Sequence, residues 1–243
     1  MLITSKANPK LKKIASLSEK KYRKLYGEFI VEGVKAVDEC VSAGMEICDI
    51  VCTQSFFERY ENATVVTDEL FLKISTEKSP QGVLAVVKKP LNELKAPKTC
   101  CLLLDRVQDP GNLGTIIRTA NASGYTDIYL YNCTDAYSPK AVRASMGGVF
   151  YVTLYEGEQE EIFTALDGVP LICADMDGED VFAFTPPEKY CLCIGNEGQG
   201  VSALIKGKAD YTVKIPMRKT CESLNAGVSA GIAMYVLKNK IEE

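Results

Sequence analysis

Beyond residue 100 the chain repeats one pattern: a short apolar run, a polar turn, a helical segment, then another apolar run. "CCLLLD" leads into "GTIIRTANAS", "TDIYLYN" into "SPKAVRASM" and "FYVTLYE" into "QEEIFTAL". "VPLICAD", "YCLCIGN", "VSALIKG" and "YTVKIP" follow, before a closing helix "NAGVSAGIAMYVLKNK". Near-continuous apolar runs suit strands covered on both faces, and strands separated by helices suit parallel crossovers. The pattern predicts an α/β fold whose carboxyl-terminal part is a mostly parallel sheet with helices on both faces. Ligands of such sheets bind beyond the carboxyl ends of the strands, where the polar turns of this half cluster.

A Lys- and Pro-bearing stretch, "KKPLNELKAPKT" at 88–99, reads as a linker and divides the chain into expected domains at 1–95 and 96–243. The first carries a basic helical opening, an amphipathic segment "EGVKAVDECVSAG" closed by Gly44, and short strands "ICDIVCT", "TVVT" and "GVLAVVK". It reads as a small α/β module.

Charge is distributed unevenly behind a net value of −4. Residues 1–24 hold eight Lys and Arg against one acid, Glu19. Lys10, Lys12, Lys13, Lys20, Lys21, Arg23 and Lys24 therefore form a candidate phosphate-binding, RNA-facing stretch, although a charge run of this kind also fits a solvated helix face. No apolar run reaches the length of a membrane span, and "MLITSKANPKLKK" lacks the apolar core of a secretory signal, so a soluble, cytoplasmic protein with no membrane partner is expected. In that reducing compartment the ten cysteines, mostly inside apolar runs, read as small buried hydrophobes. Cys191 and Cys193 share a strand face, but no second pair at ligand spacing follows, so no metal site is expected. Histidine is absent, which excludes a Ser-His-Asp or Cys-His arrangement and any imidazole base within this chain.

Three polar turns follow three of the apolar runs. The first, "DPGNLGTIIRTANASG" at 109–124, places Asn112 in the turn and Arg118 on a helix expected from about Thr115. The second is "CIGNEGQG" at 193–200, where Gly195, Gly198 and Gly200 surround Asn196 and Glu197. The third, "IPMRKTCESLNAGVSAG" at 215–231, leads into a helix beginning near Ser223 or Asn225. Taken singly, each admits a bland explanation: a tight glycine turn, an N-cap, an arginine covering a helix. Three in one domain are harder to explain in that way. "GNEGQG" reverses the glycine order of the dinucleotide fingerprint, and no phosphate-loop sequence is present.

In order, spacing and residue type, "DRVQDPGNLGTIIRTA", "IGNEGQG" and "IPMRKTCESLNAGVSAGIAMY" resemble the three motifs of the SpoU/TrmH family of RNA ribose 2′-O-methyltransferases, within the SPOUT superfamily. The opening "ITSKANPKLKKIASLSEKKYRKLYGEFIVEG" is similar to the family's L30-like substrate-binding extension. Cys221 and Ala226 depart from the third motif only by exchanging one small residue for another.

The resemblance implies a deep trefoil knot in the carboxyl-terminal domain and S-adenosylmethionine as cofactor, held by Ile194, Gly195, Gly200, Ile215, Met217 and Leu224. It implies methyl transfer to a ribose 2′-hydroxyl without a metal. Arg118 would contact phosphate near the target and lower the pKa of the hydroxyl, since an arginine acting as a literal base demands a strongly altered environment. Asn112 would shape the first turn and contact RNA or cofactor, Glu197 would orient neighbouring groups including Arg118 or its partner, and Ser223 and Asn225 would hydrogen-bond around the target ribose and the knot. It also implies a homodimer, packed through the last helix and the first-motif helix. The small-residue stripe Gly227, Ala230, Gly231 and Met234 suits either that contact or packing within one chain. Ribosomal RNA is the favoured substrate. A transfer-RNA 2′-O-methyltransferase, a noncatalytic ribosome-associated protein of the same fold, and a small-molecule or protein methyltransferase stand as alternatives.

Overall fold

The computed structural model describes residues 2–60, 62–221 and 223–242, so Glu222 of the third motif lies outside the described residues. A five-stranded mixed sheet is built from β1 (Leu2–Ile3), β2 (Glu28–Glu32), β3 (Ile47–Thr53), β4 (Thr64–Val66) and β5 (Val83–Lys88), in the order β1-β4-β3-β5-β2. Helices α1 (Pro9–Ser16), α2 (Lys20–Tyr26), α3 (Val34–Ser42) and α4 (Asp68–Ile74) cover it. Strand periodicity assigns the faces: Phe29 and Val31 of β2, with Val83, Ala85 and Val87 of β5, point toward α3. Ile30, Leu84 and Val86 point the other way, onto Leu11 and Ile14 of α1 and Phe71 and Ile74 of α4. Strands β1 and β2 and helix α4 were not anticipated; β2 follows directly on a Lys-rich helix and carries a glutamate at each end, which hides its apolar centre.

The second sheet is parallel throughout and contains β6 (Cys101–Asp105), β7 (Asp127–Tyr131), β8 (Thr153–Glu156), β9 (Leu171–Asp180), β10 (Cys191–Ile194) and β11 (Tyr211–Lys214), in the order β11-β9-β10-β6-β7-β8. Its helices are α5 (Pro110–Ser123), α6 (Pro139–Ala144), α7 (Gln159–Ala165), α8 (Ala203–Lys206) and α9 (Ala226–Glu242). Leu102 and Leu104 of β6 and Leu192 and Ile194 of β10 face α5 and α9, whereas Leu103 and Cys193 face Ile162 of α7 and Ile205 of α8. Helices thus lie on both faces of the parallel sheet. Among the described residues no helix is long and apolar enough to cross a membrane.

Helix α5 starts at Pro110, five residues before the expected Thr115. Asp109 caps it by accepting from the Asn112 N–H at 2.9 Å, and proline at the first helical position needs no donor there. A Pro-Gly-Asn sequence that reads as loop is therefore the first turn of a helix. Gly114 lets α5 approach α6, since a Cβ at that position would lie 2.4 Å from the Ala141 carbonyl oxygen.

The stretch 89–100 holds no regular element, yet the sheets share one apolar cluster running from Phe29, Val31 and Val37 through Tyr137 and Val149 to Leu113, Ile117 and Met234. Arg23 ties them together. Its Nη2 lies 2.7 Å from Asp135 Oδ2 and its Nη1 donates to the carbonyls of Leu17 and Ser18, with only 6% of the side chain exposed. This corrects the expectation that Arg23 binds RNA: helical periodicity turns it inward, away from the exposed Lys20 and Lys24, and its charge is already matched.

Cys101, Cys173, Cys191 and Cys193 come from three adjacent strands and meet on the face covered by α7 and α8, with Cys191 level with Cys101 and Cys193 level with Cys173. Sequence spacing did not show this, because parallel crossovers bring together residues far apart in the chain. Among the described residues no group of three or more His, Cys, Asp or Glu side chains is placed to hold a metal ion. Burial first, and then the thiol partner, push the Cys191 and Cys193 pKa values well above normal, so both stay protonated and inert. A maleimide probe is expected to label Cys48 and Cys221, the two exposed cysteines, rapidly in the native protein, and all ten once it is denatured. Rapid native labelling of Cys191 or Cys193, read by mass spectrometry, would contradict this packing.

Candidate active site

The carboxyl ends of β6 and β10 face the third polar turn, and three side chains connect the three motifs. Asn225 Nδ2 donates to Asn112 Oδ1 at 2.8 Å, and Asn112 Nδ2 donates to Glu197 Oε1 at 3.1 Å. Each member is held from a second direction. Asn225 Oδ1 accepts from the N–H groups of Gly227 and Val228 and so caps α9, while Asn112 lies in the first turn of α5. Glu197 accepts from the backbone N–H groups of Asp109 and Gln108 at 3.1 and 3.3 Å. Burial opposes its charge, but its own backbone N–H, the Asn112 amide and these two N–H groups together hold Glu197 below the usual carboxylate range. At neutral pH it is an acceptor that orients donors.

Beneath this chain the β6 and β10 turns are locked together. Asp105 is fully buried at the end of β6, where it accepts from Ser202 N–H at 2.6 Å and from Arg106 Nε at 3.0 Å. Asn196 Nδ2 donates to the Arg106 carbonyl, while its Oδ1 accepts from Gly198 and Gln199. Asn196 and Gly200 exchange both backbone hydrogen bonds, closing the second turn on itself. Asp105 and Arg106 were missed as site residues; the available signal was an acid closing an apolar run, as Asp175 also does.

Next to this lock is a cavity of about 370 Å³. Ile194, Gly195, Gly200, Ile215, Met217 and Leu224, the six residues expected at the cofactor, all line it, as does Ser223. Val181, Val213 and Ala233 add apolar wall that the motifs did not indicate. Gly195 forms a cradle that no larger residue fits: a Cβ there would lie 2.1 Å from the Gly200 carbonyl carbon. Apolar side chains on the walls, backbone polar groups at the glycine turn and a volume within the usual ligand range suit an adenosine-bearing cofactor. Asp175, also in the wall, pairs with Lys206.

Arg118 is not brought into this group. It lies two turns into α5, exposed, and its guanidinium has no hydrogen bond or ion pair among the described residues. Glu197 orients a neighbouring group, as expected, but that group is Asn112; a direct contact with Arg118, one of the two expected forms, is not made. In the amino-terminal stretch, Lys10 pairs with Asp49 at 2.7 Å, Lys13 with Glu28 at 2.7 Å and Lys21 with Glu19 at 3.0 Å. Lys12, Lys20 and Lys24 are exposed, with no ion-pair partner among the described residues.

A parallel sheet whose strand-end turns close over one apolar cavity, with an Asn-Asn-Glu chain at its rim, defines a cofactor-binding α/β protein. The SpoU rRNA Methylase family model matches residues 99–235, and the chain belongs to that family. An MRM3-like substrate binding domain matches residues 8–85. The chain is 31% identical to the 23S rRNA (guanosine(2553)-2′-O)-methyltransferase RlmP of Bacillus subtilis (strain 168), over 97% of this chain and 98% of the relative. Among solved structures, an AdoMet-bound rRNA methyltransferase from Sinorhizobium meliloti superposes with a TM-score of 0.89 at 29% identity, covering 98% of this chain and 97% of the other. AviRb from Streptomyces viridochromogenes, a SpoU methyltransferase solved in complex with AdoMet, gives 0.86 at 28% identity, covering 96% and 97%.

Proposed function

We propose that the protein transfers a methyl group from S-adenosylmethionine to a ribose 2′-hydroxyl of large-subunit ribosomal RNA. The observation that carries this reading is the Asn225–Asn112–Glu197 hydrogen-bond chain, which joins all three motifs at the mouth of a cavity shaped by Gly195. Relatives that match nearly the whole chain and carry that activity by name support the substrate class.

The cavity residues Ile194, Gly195, Gly200, Ile215, Met217 and Leu224 would hold the cofactor, and Asn196 and Asp105 keep their two loops closed around it. When bound, S-adenosylmethionine supplies a methyl already made electrophilic by its cationic sulfur. The chain's own residues contribute alignment and electrostatics. Ionised Glu197 fixes the Asn112 amide, Asn112 fixes Asn225, and with Ser223 they form a polar rim against which the target ribose is oriented. Arg118, permanently charged and free of an acidic partner among the described residues, engages the phosphate beside that ribose and lowers the pKa of its hydroxyl.

With Arg118→Ala, methyl transfer is expected to fall about 100- to 1,000-fold while cofactor binding and thermal stability stay near wild type. Labelled methyl from S-adenosylmethionine, followed into unmodified 23S ribosomal RNA and transfer RNA in separate reactions, measures this. Near-normal transfer by the variant would remove Arg118 from the mechanism; label in transfer RNA alone would change the substrate.

The same reading includes cytoplasmic action, the trefoil knot of the family and a twofold dimer. The small-residue stripe is already used within the chain, since Ala230 and Met234 are fully buried and Cβ positions at Gly227 and Gly231 would meet Thr115 and Thr119 of α5. Val228 and Tyr235, seven residues apart on α9 and each about half exposed, are instead the apolar positions a partner would cover. Light scattering is expected to give twice the chain mass at micromolar concentration; a monomer would dismiss the dimer.

A further inference from the structure

A groove of about 730 Å³ runs between the two sheets, separate from the cofactor cavity. Lys20 and Lys73 line its amino-terminal side; Lys140, Arg143, Gln108 and Pro110 line the other. Gln108 and Pro110 flank Asp109, the cap of α5, and the Gln108 N–H donates to Glu197. The groove therefore leads to the turn that holds Asn112.

The groove's charges are unequal in availability. Arg23 and Asp135 at its floor satisfy each other, Lys140 pairs with Asp109 at 2.8 Å, and Arg143 pairs with Glu77. Lys20 has no such partner among the described residues. Lys73 stands against Lys6, whose hydrogen bond and charge lower its pKa, with burial also contributing and Glu69 opposing. Two amines side by side cannot both carry charge without repulsion, and a bound anion relieves that penalty. Hydroxyls of Thr134 and Ser138 add donors, and among the described residues no aromatic side chain lines the groove, so it can track a charged backbone but offers no platform for stacking bases.

We propose that this groove carries the phosphodiester backbone of the RNA strand entering the active site, with Lys20 and Lys73 bound to its phosphates. The proposal rests on the RNA methyltransferase reading above. It moves the main RNA contact from the α1 and α2 lysines that are already paired to a surface formed by α2 and α4 on one side and by α6 and the loops before α5 and α6 on the other. Recognition there is indifferent to base identity, so selection of the target nucleotide falls to other surfaces.

The test compares two double variants of the full chain, Lys20→Ala/Lys73→Ala in the groove and Lys12→Ala/Lys24→Ala outside its lining. Binding to an unmodified transcript of 23S ribosomal RNA is measured from about 50 to 200 mM salt. The groove variant is expected to bind roughly tenfold more weakly, with a log–log salt slope smaller by about 2. Its KM for RNA should rise while its affinity for S-adenosylmethionine is unchanged, and the outer variant should lose less than the groove variant. If the wild-type protein methylates the transcript and the groove variant matches it in affinity and slope, or if the outer variant loses as much, the groove assignment fails and the methyltransferase reading stands. If the wild-type protein neither binds RNA nor transfers methyl, both fall.

Discussion

Gly195→Ala is expected to lower S-adenosylmethionine affinity by at least about a hundredfold, close to 2.7 kcal/mol. The added Cβ would sit 2.1 Å from both the Gly200 carbonyl carbon and the Val201 nitrogen. These are backbone atoms, so no rotamer change relieves the contact, and the two ends of the second turn must separate. Separation breaks the paired hydrogen bonds between Asn196 and Gly200, which in turn loosens the Asn196 amide from the Arg106 carbonyl. The cavity wall and the lock between β6 and β10 are lost together, with about 1–3 kcal/mol of stability from overpacking. Gly198→Ala is the control from the same turn: its Cβ would meet only Asn196 Oδ1, at 3.7 Å, and should bind cofactor normally. Calorimetric titration of both variants decides; normal affinity in Gly195→Ala would show that the cofactor is held elsewhere.

Arg23→Ala is expected to destabilise the fold by about 3–5 kcal/mol, because it leaves the Asp135 carboxylate buried without its counter-ion. Asp135 is 11% exposed and also accepts from the Tyr137 N–H, so it cannot turn out to water without uncapping that turn. The carbonyls of Leu17 and Ser18 lose their guanidinium donor as well. Combining Arg23→Met with Asp135→Asn removes the unmatched charge and should recover much of the loss. Urea unfolding reads both variants; a midpoint for Arg23→Ala equal to wild type would mean that the pair adds nothing to the contact between the two sheets.

Much of this protein was legible in its sequence. Apolar runs alternating with helical segments determine the parallel sheet, because strands buried on both faces need apolar residues at nearly every position. The glycines and polar residues of the three turns mark the cavity, since Gly195 and its neighbours are positions where the backbone itself forms the wall. Ile194, Ile215, Met217 and Leu224 were placed together by the family resemblance of the motifs, and they line one cavity.

Other features depend on which surfaces meet, and sequence order does not encode that. The seven candidate cations of the basic opening read as equivalent; the folded chain buries Arg23 against Asp135, pairs Lys10, Lys13 and Lys21, and leaves Lys12, Lys20 and Lys24 exposed. Likewise Cys101 and Cys173 join Cys191 and Cys193 only because parallel crossovers set β6, β9 and β10 side by side. Glu197 faces Asn112 and not Arg118 because the cap at Asp109 fixes where α5 begins, and the pitch of the helix then carries Arg118 away from that turn. Periodicity along the chain determines which residues share an element, whereas the pairing of charges requires the distances between elements, which only the tertiary structure sets.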